Sequence, residues 1–190
     1  MTAVPDRFTR VRRYLHWLVA LLLAAQIPLA WVMIEQRLGP DKLANYALHK
    51  SLGILLLLVG LARISAAVST RRPPLPAALP RAQRIAARTA EALLFLVLVV
   101  MPLPGWLMSS AANFPVSVFG WFTLPDLVQP SQDLFATLQK VHRGLSYLLM
   151  ATAALHISAA MRHYFILRDN VLYSMLPFAR LKRRPLNEED

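Results

Sequence analysis

The 190-residue sequence contains no cysteine. That absence excludes disulfides, thiolate metal sites, iron–sulfur clusters and the CxxCH attachment of c-type haem. Acidic residues are also scarce, 10 against 21 lysines and arginines. Inside the long apolar runs the only carboxylate is Glu91, near the start of the third run. A transport path for zinc or copper normally adds carboxylate, thiol or thioether ligands to its histidines, so this scarcity argues against one. Glycine is sparse too, with 6 residues, which gives weight to the places where it does occur.

What the chain has in abundance is apolar sequence: 56% hydrophobic residues and a mean hydropathy of +0.44. A membrane-spanning helix needs about 20 predominantly apolar residues. Four runs meet that length, at about 14–34, 47–68, 86–109 and 142–167. They are continuous rather than alternating, which favours helices over a barrel. The expectation is an all-α, integral membrane four-helix bundle occupying residues 1–178 as one domain, with a charged tail at 179–190. The first run is too long for a cleavable signal and is expected to remain as a span.

The net charge of +11 might suggest nucleic acid, but the basic residues cluster at the ends of the runs. Arg7, Arg10, Arg12 and Arg13 precede the first run in a polar lead-in, residues 1–13. Arg71, Arg72, Arg81, Arg84 and Arg88 separate the second from the third, and Arg162, Arg168, Arg180, Lys182, Arg183 and Arg184 sit at or beyond the end of the fourth. The other two connections are nearly neutral. The positive-inside rule then places both termini in the cytoplasm, with lipid rather than nucleic acid as the partner. "MPLPGW", residues 101–106, is expected to kink the third span, and the aromatic-rich connection after it to lie at the interface or cap the bundle.

All five histidines, His16, His49, His142, His156 and His163, lie in or beside spans. An ionisable residue at such a position is a functional candidate. His142 and His156 are fourteen residues apart, close to four helical turns, so they share a face about 21 Å apart along the axis. No single ion bridges that distance. The depths instead match in pairs: His49 with His142 near the outer level, His16 with His156 near the inner one. Two imidazoles facing across a bundle suit the axial positions of a b-type haem, and bis-imidazole ligation favours electron transfer over oxygen binding. Two pairs imply two haems.

The stretch "LHKSLGILLLLVGLAR" places His49, Gly53, Leu56, Gly60 and Arg63 on one helix face. Gly53 and Gly60 are expected to admit a flat ring or a neighbouring helix. Arg63, at the inner level, is expected to pair haem propionates or to snorkel to the interface. His163 reads as a propionate partner or an interfacial residue. Lys42, Lys50, Lys140 and Arg143 surround the outer level and are candidates for steering an anion.

These residues carry a resemblance to the bacterial cytochrome b-561 family of small di-haem membrane proteins, the group that includes superoxide oxidase, over about residues 7–178. Its carriers are "RYLHWLVALLL", "LHKSLGILLLLVGLAR", "KVHRGLSYLLMATAALH" and "RHYFILRDNVLYSMLP". The resemblance implies two b haems ligated by His16, His49, His142 and His156. It further implies an enzyme of the bacterial inner membrane that takes electrons from superoxide at the periplasmic face and passes them to ubiquinone. Larger relatives are membrane subunits of hydrogenases and formate dehydrogenases. The alternative is therefore a haem-bearing subunit relaying electrons between a redox partner protein and the quinone pool.

Overall fold

The computed structural model describes residues 7–76 and 79–178. Four helical spans make up nearly all of it. α1 (Arg10–Glu35) and α2 (Pro40–Ser69) form an antiparallel pair; the third span is α3 (Arg81–Val100) followed directly by α4 (Pro102–Ala111); the fourth is α5 (Gln132–Arg162), continued by a π-helical turn at His163–Leu167. A short α6 (Val171–Met175) closes the described chain. All four spans are long and apolar enough to cross a bilayer. The expected tail at 179–190 lies outside the described residues.

Local chemistry sets the ends of these helices. Thr9 caps α1 through the Arg12 amide, and Ser131 caps α5 through the Leu134 amide at 3.3 Å, with Asp133 in the first turn. Pro40 opens α2, where its missing N–H costs nothing. Pro102 and Pro104 deprive the carbonyls of Leu98 and Val100 of their helical donors, and the third span breaks at Met101, as the motif there suggests.

α1 packs on α2, α2 on α3 and α4, and α5 on α3 and α4. Among the described residues no comparable packing joins α1 to α5. The small apolar core, Val19, Leu56, Val59 and Leu98, lies where α1, α2 and α3 meet. Large apolar side chains such as Leu21, Leu58, Leu96 and Leu155 point outward, as lipid-facing positions do.

The connection between α4 and α5 is a cap on the bundle. It carries a minimal antiparallel pair, β1 (Ser117–Val118) and β2 (Phe122–Thr123), turned through Phe119 and Gly120 at positive φ. Ser51 of α2 pins it: its hydroxyl donates to Ser117 O and accepts from the Phe119 amide. Ser110 Oγ accepts from the Leu127 amide, and Trp106 Nε1 donates to Pro125 O.

One expectation needs correction. Arg10, Arg12 and Arg13 belong to α1, not to a lead-in, and Arg12 and Arg13 are buried. Their guanidinium groups have partners that the local sequence does not reveal. Arg13 Nη1 donates to the carbonyls of Leu176 and Pro177, both at 3.0 Å, and Arg12 reaches Thr70 and Glu91. Arg7 donates to Leu176 O, Trp17 Nε1 to Met175 O, and the Phe8 amide to Ser174 O. The two described ends therefore meet at one end of the bundle.

Candidate functional site

Four histidines converge in two places. His16 of α1 and His156 of α5 face each other with ring centres 6.1 Å apart. His49 of α2 and His142 of α5 do the same at 6.3 Å. The first pair lies toward the end that carries the chain's described termini, the second toward the capping loop. Spacing alone would put both α5 histidines on one face; the structure adds that α1 and α2 each present a ring opposite one of them.

The separations can be tested against a metal held between two rings. A metal–imidazole nitrogen bond is about 2 Å and the ring centre lies about 1 Å further, so two axial imidazoles hold their centres about 6 Å apart. Face-to-face stacking would be closer, while edge-to-face contact also falls at this distance. The donor set, two facing imidazoles at each of two levels, suits haem iron. The buried Nδ1 atoms of His16 and His49 have no hydrogen-bond partner among the described residues. Nor, among these, do three or more His, Asp or Glu side chains gather to hold a free ion. The residues present fit b-type haem.

The His49–His142 pair has a support that spacing did not reveal. His142 Nδ1 lies 3.2 Å from the carbonyl oxygen of Met101, at the break between α3 and α4. Donation from Nδ1–H fixes the tautomer whose Nε2 carries the lone pair. Gly105, one turn further along, leaves room for this ring: a Cβ built there would stand 3.3 Å from His142 Cε1. The proline pair and the glycine in "MPLPGW" were the available signal, read only as a kink.

The glycines of α2 divide. Gly53 faces the side-chain amide of Gln26, its absent Cβ lying 3.7 Å from Nε2. Gly60 is buried against α3, where a Cβ would meet Leu98 Cγ at 3.1 Å. Its surroundings are those of a helix-packing glycine, one of the two roles expected from the sequence.

Arg63 sits over the Phe95 ring, its guanidinium carbon 4.9 Å from the centroid. Nearby, Glu91 gathers Arg72 at 2.8 Å, Arg88 at 3.3 Å and Arg12 at 3.9 Å. One carboxylate among these guanidinium groups leaves this end strongly positive. His163 is engaged elsewhere: its Nδ1 meets Asp169 Oδ2 at 2.6 Å, while Asp169 Oδ1 accepts from the Val171 amide. The pair closes the turn between the π-helical segment and α6.

The four basic residues of the outer level separate into two kinds. Lys42 donates to Gln36 O, and Lys50 donates to the carbonyls of Phe114 and Pro115 while lying 3.6 Å from the Phe114 ring centre. Lys140 and Arg143 are exposed on α5, either side of His142, and their side chains have no partner among the described residues.

Comparison with known proteins agrees with this geometry. The family model for prokaryotic cytochrome b561 matches residues 7–178. Cytochrome b561 homolog 2 of Escherichia coli K12 is 30% identical over 177 residues, covering 92% of this chain and 94% of the relative. The probable superoxide oxidase CybB of Yersinia pestis is 28% identical, covering 86% and 92%. Cytochrome b561 homolog 1 of E. coli K12 is 26% identical, covering 90% and 98%. The chain thus belongs to the prokaryotic cytochrome b561 family, as a multi-pass, b-haem electron-transfer protein of the bacterial inner membrane.

Proposed function

We propose that the protein is a di-haem superoxide:ubiquinone oxidoreductase. His16 and His156 would hold the inner haem, His49 and His142 the outer one. The observation that carries this reading is the pair of ring separations, 6.1 and 6.3 Å, at two levels of one bundle. Haem b supplies a one-electron carrier at each level. Ligation by two imidazoles from these pairs would favour electron transfer over oxygen binding.

The outer face suits an anionic donor. Lys140 and Arg143, exposed within one helical turn of His142 and with no side-chain partner among the described residues, would attract superoxide toward the outer pair. The overall reaction balances simply. Two superoxide anions lose one electron each to become dioxygen, and ubiquinone takes up those two electrons and two protons to become ubiquinol. The similarity to a probable superoxide oxidase supports this choice of donor. At the inner end, Arg63, packed over Phe95 of α3, would neutralise haem propionates.

Stopped-flow mixing of superoxide with the purified, haem-loaded protein tests the proposal. Rapid reduction at the haem bands, followed by ubiquinone-dependent reoxidation, is the expected result. Haems that stay oxidised with superoxide but are reduced by a co-purifying dehydrogenase would replace it with the electron-relay reading.

A further inference from the structure

A polar residue that neither the spacing of the histidines nor the reaction accounts for sits at the outer level. Gln26 lies in the middle of α1, buried at 8% exposure. Its Nε2 donates to the backbone carbonyl of His49 at 2.9 Å. That carbonyl belongs to the interior of α2, where the helix supplies its own donor four residues on. The amide is therefore not needed to satisfy the backbone. Burying it is costly, because its Oε1 has no hydrogen-bond partner among the described residues. A leucine here would fill the same space without that penalty.

The second unpaired group is on the same partner. His49 Nδ1 is buried and has no partner among the described residues. In the tautomer that offers Nε2 to iron, Nδ1 carries a hydrogen and is a donor; Gln26 Oε1 is an acceptor. The two atoms belong to residues already joined by one hydrogen bond. His142, across the site, has its Nδ1 settled on Met101 O. His49 has no equivalent among the described residues, and Gln26, already bonded to its backbone, carries a buried acceptor that is likewise unpaired.

We propose that Gln26 is a positioning residue for the outer haem: its amide holds the His49 backbone through Nε2, and with the haem bound its Oε1 would accept from His49 Nδ1–H, a bond the structure does not contain. The inference rests on the two-haem reading above. Such an acceptor makes a ligating imidazole more basic, which stabilises ferric over ferrous iron and lowers the potential of that haem alone.

Redox titration of the full-length, haem-loaded protein tests it, with the outer haem identified as the one that His49→Ala removes. Gln26→Met is expected to raise the midpoint potential of the outer haem and leave the inner one unchanged. Gln26→Glu, which keeps an acceptor at the same reach, is expected to return the potential to the wild-type value or below. If Gln26→Met fails to load the outer haem, loading in Gln26→Glu supports the assignment and its loss there overturns it. Equal shifts of both haems, no shift, or a rise in both variants also overturn it, with the two-haem reading intact. A wild-type protein with fewer than two haems, or His49→Ala retaining both, would defeat that reading and this inference together.

Discussion

His142 Nδ1 is 3.2 Å from the carbonyl oxygen of Met101, at the point where two prolines interrupt the third span. The break and the histidine are one arrangement. Pro102 ends the regular run, and Gly105 withdraws the side chain that would otherwise push the ring away. Gly105→Val should displace His142 from Met101 and, on the two-haem proposal, remove the outer haem, halving the haem content from two per chain to one. A pyridine haemochrome assay against protein concentration reads this directly. Two haems per chain in the variant would mean that the ring does not depend on the space Gly105 provides.

Arg13 joins the start of α1 to the last described residues through two carbonyls, on Leu176 and Pro177. Hydrogen bonds from a charged donor contribute about 1.5–3 kcal/mol each way they are counted, and a buried acceptor left unpaired costs about 1–3 kcal/mol. Arg13→Met should lower stability by about 2 kcal/mol, seen as a lower thermal midpoint in detergent. Arg13→Lys keeps the charge but not the two-pronged reach, and should recover only part of the loss. Protease sensitivity of the segment after Arg168 should rise in parallel.

Much of this was legible from residue spacing. The fourteen-residue interval on α5 and the opposite running directions of α1 and α2 are enough to pair the histidines by depth, because a membrane helix has a fixed rise and few loops to absorb error. The proline break was equally local. Less visible were features made by residues distant in sequence. Arg12 and Arg13 look like topology signals because their partners stand some 60 to 160 residues away. Gln26 looks like an unremarkable polar residue until His49 is seen beside it. His163 could be placed at the span's edge, but its engagement by Asp169 depends on a π-helical turn that no periodicity announces.

Gly60 shows how a spacing argument can leave two roles standing. It shares a face with His49 and Gly53, yet its missing side chain is matched by Leu98 of α3, 3.1 Å from where a Cβ would sit. Gly60→Val should therefore act as an overpacking substitution, costing about 1–3 kcal/mol without a selective loss of either haem. Leu98→Ala in the same chain should restore part of that loss, and a double-mutant cycle on the thermal midpoints measures the coupling. Strict additivity, or loss of a haem at full stability, would return Gly60 to the role of admitting the ring.

The outer basic residues give a prediction about rate rather than stability. Lys42 and Lys50 spend their ammonium groups on carbonyls of the chain, and Lys50 also holds the capping loop through Phe114. Lys140 and Arg143 have nothing comparable. If electrostatic attraction brings superoxide to the outer pair, these two charges should dominate it, because both are exposed within one helical turn of His142 along α5. The Lys140→Gln, Arg143→Gln double variant should slow superoxide-driven haem reduction about tenfold at low salt, and most of the wild-type dependence on ionic strength should disappear with it. Lys42→Gln should change the rate far less. Lys50→Gln should loosen the capping loop, lowering the thermal midpoint more than it alters the salt dependence. A salt profile for the double variant that parallels the wild type would remove Lys140 and Arg143 from the approach path.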